Sequence, residues 1–270
     1  MSTTTSDAVE VLVGPGWIAS HIDDGDVRVV EVDVSPAAFD AGHIPGAVFW
    51  NAYGHLRPVA YRPLDEAGLA GLLSRSGIGP DTTVVFYGYG AYLGYWLMRS
   101  LGHGRARLMD GPRERWLEAG GTWSVEANAP AATSYPLGSV ARDVASREEV
   151  LGLIDDRDAV LVDVRSHEEF TGERFWPSGA TEGAGRAGRL PGAVWLPVEV
   201  LAGDGAAVRH ACQTAGVVPE RHVVVYCTIG NRASLAWYEL TQVLGYPRVS
   251  VYYGSWAEWG TALDTPVETS

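Results

Sequence analysis

The sequence predicts an α/β protein made of two tandem copies of one unit, each a mostly parallel sheet flanked by helices on both faces. Three observations carry this. Short apolar runs alternate with helical patterns along the whole chain, the arrangement that yields parallel sheets covered by helices. Sequence blocks recur in the same order in both halves. A segment rich in Ala, Pro and Ser, 125–138, has no clear periodicity and separates the halves as a linker. The expected boundaries are therefore 8–124 for the first domain, 125–138 for the linker and 139–270 for the second.

In order along the chain, Val29–Val34 returns as Val160–Val164, placing Asp33 and Asp163 at matching strand ends, and His43–Val48 returns as Arg189–Val194. Thr83–Tyr87 answers Val223–Tyr226, and Leu101-Gly102-His103 answers Leu244-Gly245-Tyr246. Asp110-Gly111 with Trp116 then matches Tyr253-Gly254 with Trp259. Helical patterns cover Leu64 to Ser74 and Ala91 to Leu101 in the first half. In the second they cover Arg147 to Ile154, Gly205 to Ala215 and Arg232 to Leu244, with Gly245 as a stop.

The run Val223 to Tyr226 is β-branched and aromatic, which reads as a short buried strand. It delivers Cys227 into the turn Thr228-Ile229-Gly230-Asn231, which opens the helix beginning near Arg232. Unpaired backbone N–H groups and the positive end of the helix dipole favour negative charge there, and Arg232 adds a cation. A thiolate is what such a place stabilises. This alone suits a phosphatase, a peroxidase or a redox sensor. In the first copy the same position is Gly88, so that half has no nucleophile and serves as scaffold. The second copy alone carries an expansion, Thr171 to Gly188, with Arg174 and Arg186, a candidate for substrate contact.

Composition narrows the chemistry. The 270 residues carry a net charge of −13, which argues against nucleic acid and anionic membranes as partners but not against a small anionic substrate. All 20 basic residues are Arg, so Schiff-base chemistry and a lysine-bearing phosphate loop are excluded. No run approaches the roughly 20 apolar residues of a membrane span, and Met1–Asp7 has no export-signal pattern, so a cytoplasmic location is expected. Two cysteines, Cys212 and Cys227, are too few for a disulfide scaffold or thiolate metal site; free thiols, no metal and no cofactor are expected. Cys212 sits mid-helix with no glycine turn and reads as inert, and His43 and the tryptophans read as turn and packing residues.

Phe39-Asp40-Ala41-Gly42-His43-Ile44-Pro45-Gly46-Ala47, the Cys227 loop and Val251–Trp259 together resemble the signatures of tandem-domain rhodaneses, the thiosulfate and 3-mercaptopyruvate sulfurtransferases. The resemblance covers nearly the whole chain. It implies an inactive first domain, a catalytic second one and an active site at their interface. Cys227 would take a sulfur from thiosulfate or a related donor as a persulfide and pass it to a thiol, or to cyanide in an assay. The amides of Thr228, Ile229, Gly230, Asn231 and Arg232 would cradle that sulfur. Arg165 matches the family's Asp-x-Arg element, with the expected role of holding the donor's anionic part or orienting the cradle; the alternative is an ion pair with Glu168 or Glu169. Some members carry a second Arg four residues later, where this chain has Glu169, so Arg186, Arg189 or Arg232 is expected to replace it. Two rivals remain: a sulfur carrier without small-molecule turnover, and a phosphatase. The phosphatase loop resembles this one but has five residues between Cys and Arg, whereas four separate Cys227 from Arg232.

Overall fold

The computed structural model describes residues 11–59, 62–136, 142–176 and 185–269. The expected domain starts at 8 and 139, the end of the linker, the segment Met1–Asp7 and the middle of the expanded loop lie outside the described residues. By their contacts the residues form two units: one of Met1–Leu56 with Leu64–Ser139, the other of Arg57–Pro63 with Val140–Ser270.

The first unit holds strands β1 (Leu12–Val13), β2 (Val27–Asp33), β3 (Val48–Asn51), β4 (Thr83–Tyr87) and β5 (Ala106–Met109). They form a parallel sheet in the order β1-β5-β4-β2-β3. The second unit repeats it with β6 (Val144–Ala145), β7 (Ala159–Asp163), β8 (Val194–Trp195), β9 (His222–Tyr226) and β10 (Val249–Tyr252), in the order β6-β10-β9-β7-β8. The expected fold class is the one found. Its helices fall where periodicity put them, at Glu66–Arg75, Ala91–Ser100, Arg147–Leu153, Gly205–Thr214 and Asn231–Tyr238, the last running on as a π-helical turn over Glu239–Val243. The stretch 125–136 has no regular secondary structure.

Branched and aromatic side chains build both cores. In the first unit Val29, Ile44, Val85, Tyr87 and Trp116 are buried together, and in the second Val223 to Tyr226, Val249, Val251, Trp256 and Trp259 are buried. No described helix is long and apolar enough to cross a membrane.

Strand register corrects one sequence match. Tyr87 lies opposite Glu31, and Tyr226 lies opposite Asp163. The counterpart of Asp163 is therefore Glu31, and Asp33 stands two residues further along, in the place of Arg165. Valine-rich runs of equal phase align equally well at a two-residue offset, because strand periodicity is two; the pairing across the sheet selects the register.

The order of strands sets the place for a site. β7 connects to β8 on one side, while β9 connects to β10 on the other. The chain thus reverses its direction of travel between β7 and β9. Parallel sheets open a crevice at the carboxyl ends of their strands at such a reversal. Asp163 ends β7, and Cys227 follows β9.

Candidate active site

Cys227 follows the central strand β9 and is 1% exposed. The next three residues turn the chain into the helix Asn231–Tyr238, and Gly230 at its N-cap has φ +93°. A side chain there would be strained in this left-handed region, and a Cβ would also lie 2.8 Å from Cδ2 of Tyr253. Glycine therefore lets the turn close tightly against Tyr253. The result is that the Gly230 N–H donates to Cys227 Sγ at 3.1 Å. Of the amides expected to converge on the sulfur, Gly230's is the one for which the structure gives a contact.

The opposite side of the turn is fastened by the helix Ser255–Trp259. Its amides Trp256 N–H and Ala257 N–H donate to the carbonyls of Cys227 and Thr228 at 3.0 and 2.9 Å. Those carbonyls are thereby directed away from the sulfur, which leaves the amide side of the turn facing it. Ser255, fully buried, adopts φ +53°, a conformation uncommon outside glycine. It accepts from the Cys227 N–H at 3.3 Å through Oγ, which also donates to the Tyr252 carbonyl at 2.8 Å.

Beneath the cysteine lies a buried ionic pair. Asp163 accepts from Arg165 Nε and Nη2 at 2.9 and 2.7 Å and from the Tyr226 hydroxyl at 2.6 Å. Burial and the Asp163 charge push the Tyr226 hydroxyl well above its ordinary range, so it remains a donor. Arg165 is 0% exposed, also donates to the Gly188 carbonyl, and lies 4.6 Å over the ring of Trp256. Its ion-pair partner is Asp163, where the alternative to a donor-binding role had named Glu168 or Glu169. Two residues along a strand end, its fork meets a carboxylate that its own backbone N–H already binds. The geometry sets Arg165 in the scaffold that carries Tyr226, which precedes Cys227, and Trp256, whose N–H binds the Cys227 carbonyl.

Glu169 clamps the turn at both ends. Its carboxylate accepts from the Thr228 hydroxyl at 2.8 Å and from both Arg232 Nη atoms at 2.8 and 3.0 Å. It also closes a capping box with Ser166 at the start of the helix His167–Thr171. Burial raises this carboxyl, but the Arg232 bonds and charge, aided by Arg165 and Thr228, outweigh it and hold Glu169 below the usual carboxylate range. Arg232, placed in the cradle as a cation, is thus a strut between the turn and Glu169.

Ile229 is buried in the turn and Asn231 is buried at the start of the helix. Arg186 is brought elsewhere. It was expected to reach the donor, but its guanidinium donates to the Thr265 carbonyl and hydroxyl at 2.8 and 2.6 Å and to the carbonyls of Trp259 and Ala262. A chain end that offers several carbonyls satisfies a five-donor fork better than solvent does. Arg189 likewise pairs with Glu268. Cys212 is buried in the helix Gly205–Thr214, where burial pushes its thiol up to about 11. No group of three or more His, Cys, Asp or Glu among the described residues could hold a metal ion.

Two residues of this surrounding were missed from sequence, Ser255 and Arg57. Ser255 stands inside a recognised signature, but its unusual φ has no sequence signal. Arg57 belongs by contacts to the second unit although its number falls in the first half, and no motif marks it.

The first unit has the same framework without the chemistry. Glu31 is buried against Arg113 at 3.1 Å and the Tyr87 hydroxyl, so its counter-cation comes from a different segment than Arg165 does. Gly88 has φ +90°, and a Cβ there would lie 3.0 Å from the Val32 carbonyl. Cys227 is not among the residues of positive φ. The first turn therefore differs in backbone as well as in lacking a thiol.

A parallel α/β unit with a buried thiol on a glycine-closed turn at the strand reversal is the candidate site. The chain belongs to the rhodanese family: the model of the rhodanese-like domain matches residues 14–119 and 146–262. It is 38% identical to the sulfur carrier protein TtuD of Thermus thermophilus, over 96% of each chain. It is 34% identical to a Haloferax volcanii protein named as a candidate thiosulfate sulfurtransferase, over 97% of each. Among solved structures, the anaerobic ergothioneine biosynthesis enzyme of Chlorobium limicola, in complex with trimethyl histidine, superposes with a TM-score of 0.83 at 25% identity. That match covers 98% of this chain and 71% of the other.

Proposed function

We propose that this protein is a sulfurtransferase that carries a sulfane sulfur on Cys227. The thiolate attacks the outer sulfur of an anionic donor, thiosulfate by preference over 3-mercaptopyruvate. A Cys227 S–S bond forms, the donor's S–S bond breaks, and sulfite leaves with the electron pair. An acceptor thiolate, or cyanide in an assay, then attacks the outer sulfur and releases Cys227 as thiolate. Two covalent states alternate, so the kinetics are ping-pong.

The observation that carries this reading is the Gly230 N–H at 3.1 Å from Sγ on a turn with four residues between Cys227 and Arg232. Such a turn suits one sulfur atom. The phosphatase reading requires an arginine that wraps a tetrahedral oxyanion, whereas both Nη atoms of Arg232 are engaged by Glu169. A second reading is supported by the sulfur-carrier name of the Thermus relative: the Cys227 persulfide is cargo for a partner protein. Incubation with thiosulfate should raise the intact mass by one sulfur, and Cys227→Ser should abolish the gain. Steady turnover with cyanide supports the enzyme; loading without turnover supports the carrier; no loading by any sulfane donor refutes both.

A further inference from the structure

The arginines singled out from sequence are tied to acceptors of their own unit. Arg165 holds Asp163, Arg189 holds Glu268, Arg232 holds Glu169, and Arg186 holds the carbonyls of the last segment. None of these contacts directs a guanidinium at the sulfur. A different arginine packs against the glycine whose N–H meets the sulfur.

Arg57 enters the second unit on the segment Arg57–Pro63 and is 2% exposed. Its guanidinium lies 4.2 Å from the centre of the Tyr253 ring, and Nη2 donates to the Tyr253 carbonyl. Gly230 is the residue against which this group packs. A Cβ built there would be 2.8 Å from Tyr253 and 3.3 Å from Arg57 Nη2. Since the Gly230 N–H touches Sγ, the ring, the guanidinium and the sulfur converge on one glycine.

We infer that Arg57 is the cation that faces Cys227 and recognises the oxyanion end of the sulfur donor, an inference resting on the sulfur-transfer function proposed above. A guanidinium stays charged at any working pH, and its planar fork matches the paired oxygens of a sulfonate or carboxylate. Burial pushes the Arg57 guanidinium below its ordinary range, and the titratable groups around it, Tyr253, Cys227, Glu258 and Tyr252, push it back up. Glu258 is itself bound by the Tyr252 hydroxyl at 2.7 Å. In a site shielded from water such a charge is weakly screened, so it discriminates strongly between charged and neutral molecules of similar size. The preferred donors are therefore small molecules whose outer sulfur is attached to an oxyanion-bearing centre.

Alkylation of Cys227 by iodoacetate and by iodoacetamide tests this without requiring sulfur transfer, because the reagents differ in charge but little in size. The modified Cys227 peptide is quantified by mass. In Arg57→Gln the ratio of the iodoacetate to the iodoacetamide rate should fall about tenfold, the loss of one charged hydrogen bond. Arg57→Lys should lose less, since it keeps the charge without the fork. In parallel, KM for thiosulfate should rise about tenfold in Arg57→Gln. An equal slowing of both alkylating reagents would mean that Arg57 only packs, and would overturn the inference, as would an unchanged ratio. If Arg57→Gln does not fold, Arg57→Lys decides: an unchanged ratio together with an unchanged thiosulfate KM overturns it. A protein that thiosulfate never loads, yet whose alkylation ratio falls on substitution, would defeat the proposed function and leave the anion site standing.

Discussion

Replacing Glu169 by glutamine tests whether the turn is held by charge or only by shape. The carboxylate is 1% exposed and accepts four bonds: two from Arg232, one from the Thr228 hydroxyl and one from the Ser166 N–H at 3.2 Å. Glutamine keeps one oxygen and can still serve Thr228 and one Arg232 nitrogen. Its amide nitrogen then faces the other Arg232 nitrogen and Ser166 N–H, both donors. One charged bond, worth about 1.5–3 kcal/mol, and one capping bond of about 0.5–1 kcal/mol are lost. Arg232 is 18% exposed and regains some hydration, so the lower half of the range applies, about 2–3 kcal/mol. That lowers the melting temperature of the second unit by about 6–10 °C, measured by calorimetry. Because the folded Glu169 lies below its unfolded value, its contribution is complete above about pH 5 and is lost as the pH falls through the folded value. The gap between wild type and variant should therefore be full at pH 7 and close on acidification. Thiosulfate loading of Cys227 should slow in step, since Thr228 and Arg232 bracket the turn. A variant that melts within about 1 °C of wild type and loads as fast would refute the clamp.

Other substitutions separate nucleophile, turn and scaffold. Cys227→Ser should abolish sulfur loading, whereas Cys212→Ser should retain most of it and lower stability by about 1–2 kcal/mol through a buried hydroxyl; intact-mass and denaturant titrations read both. Gly230→Ala should stop loading and destabilise by at least about 1–2 kcal/mol, because the added Cβ takes a left-handed φ and meets Tyr253. Tyr226→Phe should lower stability by about 1–3 kcal/mol, since Asp163 loses a 2.6 Å donor and the Leu190 N–H loses its acceptor, with urea unfolding as the measure. Gly88→Cys should not create a second sulfur site, because its φ and the Val32 carbonyl oppose a side chain; thiosulfate should still add one sulfur per chain.

Much of the fold was legible before any coordinates. Valine runs, helical periods and repeated blocks placed both sheets, and the strand-turn-helix around Cys227 was found where expected, with the helix starting one residue earlier, at Asn231. What misled was the behaviour of long cations. Arg186 stands in a glycine-rich expansion of the kind that reaches substrate, yet the carbonyls of Trp259, Ala262 and Thr265 bind it. Arg165 stands where the resemblance implies a hold on the donor, with an ion pair to Glu168 or Glu169 as the alternative, and Asp163 binds it. Asp33 was matched to Asp163, and cross-strand register gives that position to Glu31.

The physical reason is the range over which each choice is made. Strand and helix signals, the glycine that turns the chain and the cysteine that follows it are local, so the sequence by itself determined two parallel units, one thiol and a turn of four residues. Which arginine faces that thiol depends on which acceptors lie within reach of flexible side chains, and those come from far along the chain: Glu169 for Arg232, Thr265 for Arg186, Tyr253 for Arg57. Only the tertiary structure decided this, by bringing Arg57 of the first half into the second unit and by setting Ser255, Trp256 and Ala257 against the backbone of Cys227 and Thr228.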